Sequence, residues 1–164
     1  MTALTVWKFH TADGANNALN KLEGLQKQQL IQVLDAAIVS WPQGRKRPKT
    51  YQAMNTAGTG VLGGAFWGML FGLIFFMPFL GMAMGAAMGA ISGHFADYGI
   101  NDSFINDVKN KVTEGTSALF LLTGQVTVDK VEAAFAPEER GELIQSNLSN
   151  EQEAKLRADF GVEE

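Results

Sequence analysis

Apolar and polar residues alternate along "ALTVWKFH" (residues 3–10), with β-branched and aromatic side chains among them, and this period of two predicts a first strand. The pattern then changes. In "TADGANNALNKLEGLQKQQL", Ala15, Ala18, Leu19, Leu22 and Leu25 recur at spacings of three and four, the stripe of an amphipathic helix laid on a sheet. "QVLDAAIVSW" predicts a second strand, "PQGRKRP" a turn, and "KTYQAM" a third strand closing a hairpin. Further on, "NDSFINDVKNKV" puts Phe104, Ile105, Val108 and Val112 on one helical face, with Asn101 or Asp102 as its cap. The nearly continuous apolar run "TSALFLLTG" predicts a buried central strand.

Up to that strand the order is strand, helix, strand, strand, helix, strand, which predicts an α+β, ferredoxin-like βαββαβ domain. The tail adds a helix in "VDKVEAAFA", a strand in "GELIQSNLS" and a final helix in "NEQEAKLRADF". Ser149 and Gln152, three apart, form a capping box for that last helix. The partner of the fifth strand is not legible.

Between the third strand and the second sheet-packing helix lies a different kind of sequence. From Thr50 to Ala96 there is no Asp, Glu, Lys or Arg. The chain therefore divides into a first part of the α+β domain (1–54), an apolar insert (55–97) and a second part with its C-terminal extension (98–164). In the insert Gly60, Gly64, Gly68 and Gly72 fall four apart, and so do Gly81, Gly85, Gly89 and Gly93. On a helix each set makes a stripe without side chains. Glycine costs about 1 kcal/mol relative to alanine inside a helix, so the repeated register predicts helices packed backbone to backbone through glycine zippers. One helix from Gly58 to Ala96 would be roughly 58 Å long. Pro78 divides the stripes, and a hairpin of two antiparallel helices turning there is the expectation.

The same glycines contain G-x-G-x-x-G at Gly58, Gly60 and Gly63, but the acidic residue that a dinucleotide site needs about 20 positions on is replaced by "FFMPFL". Two settings remain for the hairpin. Its uncharged length and the basic run Arg45, Lys46, Arg47 and Lys49 just before it suit a bilayer and its anionic surface. The tip "FFMPFLG" has no polar residue to expose beyond a membrane, so it is expected to stay in lipid, at the far interface or against protein, as a re-entrant or barely spanning hairpin. The Gly/Ala/Met composition of the second arm suits burial in protein, including between subunits.

Composition narrows the partners. A net charge of −4 and a pI near 5.2 argue against general nucleic-acid binding. The absence of cysteine excludes disulfides and thiolate chemistry. No secretory signal is evident at the N-terminus, so a cytoplasmic location is expected, at the inner face of the cell membrane with the hairpin inserted from that side. His10 and His94 stand alone, Asp97, Asp102 and Asp107 spread across a loop and helix start, and Ser40, Ser92 and Ser117 have no adjacent base. Met82, Met84 and Met88 read as packing, and Trp7 and Trp41 as sheet-face residues. No catalytic, metal or cofactor set emerges, and none is expected.

The segments "LDAAIVSW", "FADYGINDSFI", "GTSALFLLTG" and "GELIQSNLSNEQEAKLRADF", together with the glycine hairpin, resemble the DUF1269 family of bacterial and archaeal proteins, often labelled predicted membrane proteins. The resemblance implies a hairpin-bearing α+β domain and carries over no functional residues. The expected role is non-enzymatic: a membrane-associated, self-assembling structural protein, a homo-oligomer with the lipid bilayer as partner. The competing expectation is a soluble oligomeric ligand-binding or sensor domain whose hairpins are buried between subunits.

Overall fold

The computed structural model describes residues 2–28, 31–52, 64–76, 98–134 and 143–160. Strand β1 (Thr2–Phe9) leads into helix α1 (Gly14–Lys27), then β2 (Val33–Ser40) and β3 (Lys49–Gln52). The described part of the insert is α2 (Gly64–Phe71), which continues into one turn of π-helix (Gly72–Phe76). Helix α3 (Asp102–Lys111), β4 (Ser117–Gly124), α4 (Gln125–Ala134), β5 (Leu143–Leu148) and α5 (Asn150–Phe160) complete the order. Two local signals hold at atomic detail. The Asn101 side chain accepts a hydrogen bond from the Phe104 N–H at 3.0 Å, capping α3. Ser149 and Gln152 exchange bonds of 2.9 and 3.1 Å at the start of α5.

The five strands form one sheet in the order β3-β2-β4-β1-β5, every neighbouring pair antiparallel. A ferredoxin-like order built on the first four strands would put β3 between β1 and β2. Instead β4 occupies that place, and β3 lies at the edge. Length and polarity account for the difference. "SALFLLTG" is apolar on both faces and gains most from a central position, whereas the four-residue "KTYQ" has little to bury and is suited to an edge. The fifth strand, whose partner the sequence left open, pairs with β1, Val6 opposite Ile144.

Both sheet faces are covered. On one, Ala3, Trp7, Ile38, Leu119 and Leu121 pack under Ala15, Ala18, Leu19 and Leu22 of α1 and Val128 and Val131 of α4. On the other, Leu4, Val6, Ala37, Val39, Phe120 and Leu122 lie beneath the insert's first arm, with α3, α5, Tyr98 and Ile100 around it. The arm contributes Phe66, Trp67, Leu70, Phe71, Leu73, Ile74 and Phe75, all buried. Phe71 meets Phe120 edge-on at 5.1 Å between ring centroids, and Trp67 stacks on Phe71 at 5.8 Å. At roughly 1.5–3 kcal/mol per buried large side chain, these seven supply on the order of 10–20 kcal/mol, as much as the net stability of a whole domain. The first arm is thus part of the core.

Leu73, Ile74 and Phe75 are consecutive and all buried, whereas an α-helix steps 100° per residue and cannot set three neighbours on one narrow face. Here the segment touches α3 as well as the sheet side, so burial comes from more than one direction.

Replacing Phe71 by alanine is expected to cost about 3–5 kcal/mol, read as a fall in the denaturant midpoint with the slope preserved. A loss below about 1 kcal/mol would mean that the arm is not integral to the fold.

Candidate interaction surfaces

Two of the serines are tied into the fold. Ser40 Oγ donates to the Ala12 carbonyl at 2.8 Å, and Ser117 Oγ donates to the Thr11 carbonyl at 2.6 Å while accepting from the Ala15 N–H at 2.9 Å. Together they fasten the loop between β1 and α1. Trp7 Nε1 donates to Thr5 Oγ1 at 2.9 Å, which explains how a buried strand tolerates both. His10 is exposed just beyond β1, and Asp107 is exposed on α3. Asp102 is the first residue of α3. Among the described residues no group of three or more His, Cys, Asp or Glu could hold a metal ion. His94, Asp97, Ser92, Met82, Met84 and Met88 lie outside the described residues.

One buried carboxylate was missed. Asp35 is fully buried in β2, beside an irregularity in the register with β4, and its Oδ1 accepts from the Ala36 N–H at 2.8 Å. A lone acid within the apolar run "VLDAAIVS" is the signal that marks it. A second buried polar atom is Trp67 Nε1, which has no hydrogen-bond partner among the described residues.

The first arm presents two unlike faces. Its aromatic side is sealed against the sheet. On the other side Gly68 and Met69 are exposed, Met69 at 41%. A Cβ built on Gly68 or Gly72 meets nothing within 4 Å among the described residues. The glycines are therefore not needed to let the arm approach its own sheet. Gly64 opens α2, while Gly60, Gly81, Gly85, Gly89, Gly93 and the turn residue Pro78 lie outside the described residues.

The basic run occupies the loop between β2 and β3, with Arg45, Lys46, Arg47 and Lys49 all exposed. In sequence it stands just before the insert. In space it stands by the far end of the arm. Ser40 is level with Lys49 and Ser117, and Ser117 with Phe9, so these four mark one end of the sheet. Trp67 and Phe71 lie over Phe120, three residues further in along β4, and Phe75 reaches Trp41 just past Ser40, edge-on at 6.2 Å. The arm therefore runs toward the basic loop. Trp41 fixes that loop through Nε1, which donates to the Arg45 carbonyl at 2.8 Å. The turn leading from α3 into β4 is zipped to it: Trp41 N–H donates to the Thr116 carbonyl at 2.9 Å, Gly115 N–H to the Trp41 carbonyl at 2.7 Å, and Gln43 Nε2 to Glu114 at 2.9 Å.

The described chain resumes toward the other end of the sheet, and there it is clasped. Tyr98 is fully buried, and its hydroxyl donates to Asp159 of α5 at 2.5 Å. Lys155 lies 6.0 Å from the centre of the Tyr98 ring. Ser146 of β5 donates to the Gly99 carbonyl. Gly99 has φ +91, and an added Cβ would come within 3.0 Å of the Asn147 carbonyl oxygen.

These features define an α+β protein in which an apolar insert closes one sheet face and is held where the chain leaves it. The family described as "Protein of unknown function (DUF1269)" matches residues 61–161, and the chain belongs to that family. No curated protein and no solved structure matches it. Among the described residues no helix is long and apolar enough to cross a membrane.

Gly99→Ala is expected to lower stability more than Gly44→Ala. Both have positive φ, but Gly44 faces open space whereas at Gly99 the backbone carbonyl cannot move aside. Chemical denaturation of the two variants side by side checks this, and equal losses would contradict it.

Proposed function

We propose that the protein is a non-catalytic structural module that self-assembles through the glycine faces of its hairpin and associates with the bilayer at the cytoplasmic face of the cell membrane. The observation that carries the assembly reading is that a Cβ on Gly68 or Gly72 would meet nothing within 4 Å among the described residues. Each costs about 1 kcal/mol of helix stability relative to alanine, and the arm's own packing on the sheet gives nothing in return. A smooth helical face answers to another helix at close range. The second stripe, Gly81, Gly85, Gly89 and Gly93, offers the matching surface, within one chain and between copies.

The strand order supports a ferredoxin-like assignment with different members from those the sequence suggested. β1-α1-β2 and β4-α4-β5 are the two crossover units; α1 and α4 share one face. β3 and the insert are then an elaboration between the second and third strands. The hairpin reading draws support from two contacts on either side of the insert's centre: Phe75 lies against Trp41 by the basic loop, and Gly99 accepts from Ser146 toward the opposite end of the sheet. The competing reading, a soluble oligomeric ligand-binding or sensor domain with its hairpins buried between subunits, calls for a polar pocket and solubility without detergent. The sheet face opposite α1 and α4 is filled by Phe66, Trp67, Phe71 and their neighbours, so such a pocket would lie elsewhere.

Bilayer association draws on the sequence beyond Phe76, which carries no Asp, Glu, Lys or Arg until Asp97. The first arm stays on its sheet, since exposing that face to water would forfeit the burial that holds the domain together.

Gly68→Leu combined with Gly72→Leu is expected to reduce the native mass measured by light scattering to that of the monomer, with the melting temperature held or raised. Extending the change to Gly64, Gly85 and Gly89 should not restore assembly. A native protein that is monomeric from the outset, or a variant of unchanged mass, removes the assembly reading.

A further inference from the structure

The end of the molecule that carries the basic loop is more than a solvated turn. Of the chain's 13 lysines and arginines, Arg45, Lys46, Arg47 and Lys49 project from the β2–β3 loop, and Lys109 and Lys111 sit in the last turn of α3. The hydrogen bonds from Trp41 and Gly115 hold the α3–β4 turn against this loop, so the two groups of cations share one end. Among the described residues beside this loop the acids are Glu114, which accepts from Gln43, with Asp107 on α3 and Asp13 at the start of α1, while Glu132 in the last turn of α4 lies across the sheet. The cations outnumber them, on a chain whose net charge is −4. An acidic protein with a basic end is oriented by any anionic surface: the end is attracted and the remainder repelled.

The same end carries an aromatic of interfacial kind. Trp41 is half-buried, its ring set edge-on against Phe75 and its N–H bonded to the Arg45 carbonyl. An indole held beside exposed cations matches the headgroup layer of a bilayer, where aromatic rings and basic side chains sit side by side. Nucleic acid would call for a broader basic field than this chain has.

We propose that this end, formed by the β2–β3 loop and the last turn of α3, is a docking surface for anionic phospholipid headgroups, with Trp41 at the water–lipid boundary. The inference rests on the bilayer association proposed above and adds to it a direction and a lipid chemistry. The molecule approaches the membrane with the long axis of β2 and of the first arm pointing at the headgroups. Contact needs no departure of the arm from the sheet, because Arg45, Lys46, Arg47, Lys49 and Lys109 are already exposed and Lys111 is half-buried.

The test is binding of the full chain to phosphatidylcholine vesicles with and without phosphatidylglycerol, at low and high salt, followed by co-sedimentation and tryptophan emission. Trp7 and Trp67 are buried, at 1% and 2% exposure, so a vesicle-dependent blue shift reports Trp41 and disappears in Trp41→Phe. Binding is expected only with the anionic lipid and should weaken as salt rises. Changing Arg45, Lys46, Arg47 and Lys49 to Gln should weaken it on the order of fivefold per charge removed, with the melting temperature retained. Equal binding to neutral and anionic vesicles would overturn the headgroup assignment while leaving bilayer association standing; binding to neither would overturn both. Unchanged affinity in the Gln variant, or equal affinity for a duplex DNA at the same salt, would also overturn it.

Discussion

A sheet whose two faces are both apolar cannot exist in water without two covers. That constraint governs this molecule. β4 is the clearest case: Ala118, Phe120 and Leu122 face one way, Leu119 and Leu121 the other, and all are buried. One cover, α1 with α4, comes from the connections that build the sheet. The second has to be brought in, and the insert brings it as Phe66, Trp67, Phe71 and their neighbours. What looks in the sequence like a segment foreign to the domain is, in its first half, the element that completes the domain.

This division of labour gives the arm a simple logic. One side is spent on the sheet and is unavailable to lipid or a partner. The other side bears Gly68, Met69 and Gly72 and makes no demand on the rest of the described chain. An interaction surface can then change its occupant without disturbing the core, because the two faces of one helix answer to different constraints. The clasp at Tyr98, Gly99 and α5 serves the same separation at the other end of the insert. It fixes where the chain rejoins the domain.

Local structure was largely legible in the sequence; arrangement was not. The strand at "ALTVWKFH", the stripe of α1, the Asn101 cap and the Ser149–Gln152 box depend on neighbours a few residues apart, and each appears as the pattern implies. Strand order depends on pairings between distant segments, and the same string of elements admits more than one. The helix in "NDSFINDVKNKV" looked like the second crossover, yet the helix that shares α1's side of the sheet is α4, whose weaker apolar pattern hid its role. The basic loop was legible as basic and exposed. That it lies beside the end of the arm, and not its beginning, follows only from Phe75 meeting Trp41. Asp35 was passed over because burial of a single acid in an apolar strand goes against the general cost of burying charge.

The central place of β4 also has a bearing on how the chain is made. β1 and β2 do not pair with each other; both wait for β4, which is translated well after the first arm. At ribosomal rates of about 5–20 residues per second, roughly 2–10 s separate the emergence of Phe76 from that of Gly124. Throughout that interval Phe66, Trp67, Leu70 and Phe71 have left the ribosome before the surface that receives them exists. A nascent chain of this design spends those seconds with its stickiest segment uncovered, so a chaperone or a lipid surface near the exit tunnel has its opportunity before the finished protein ever does.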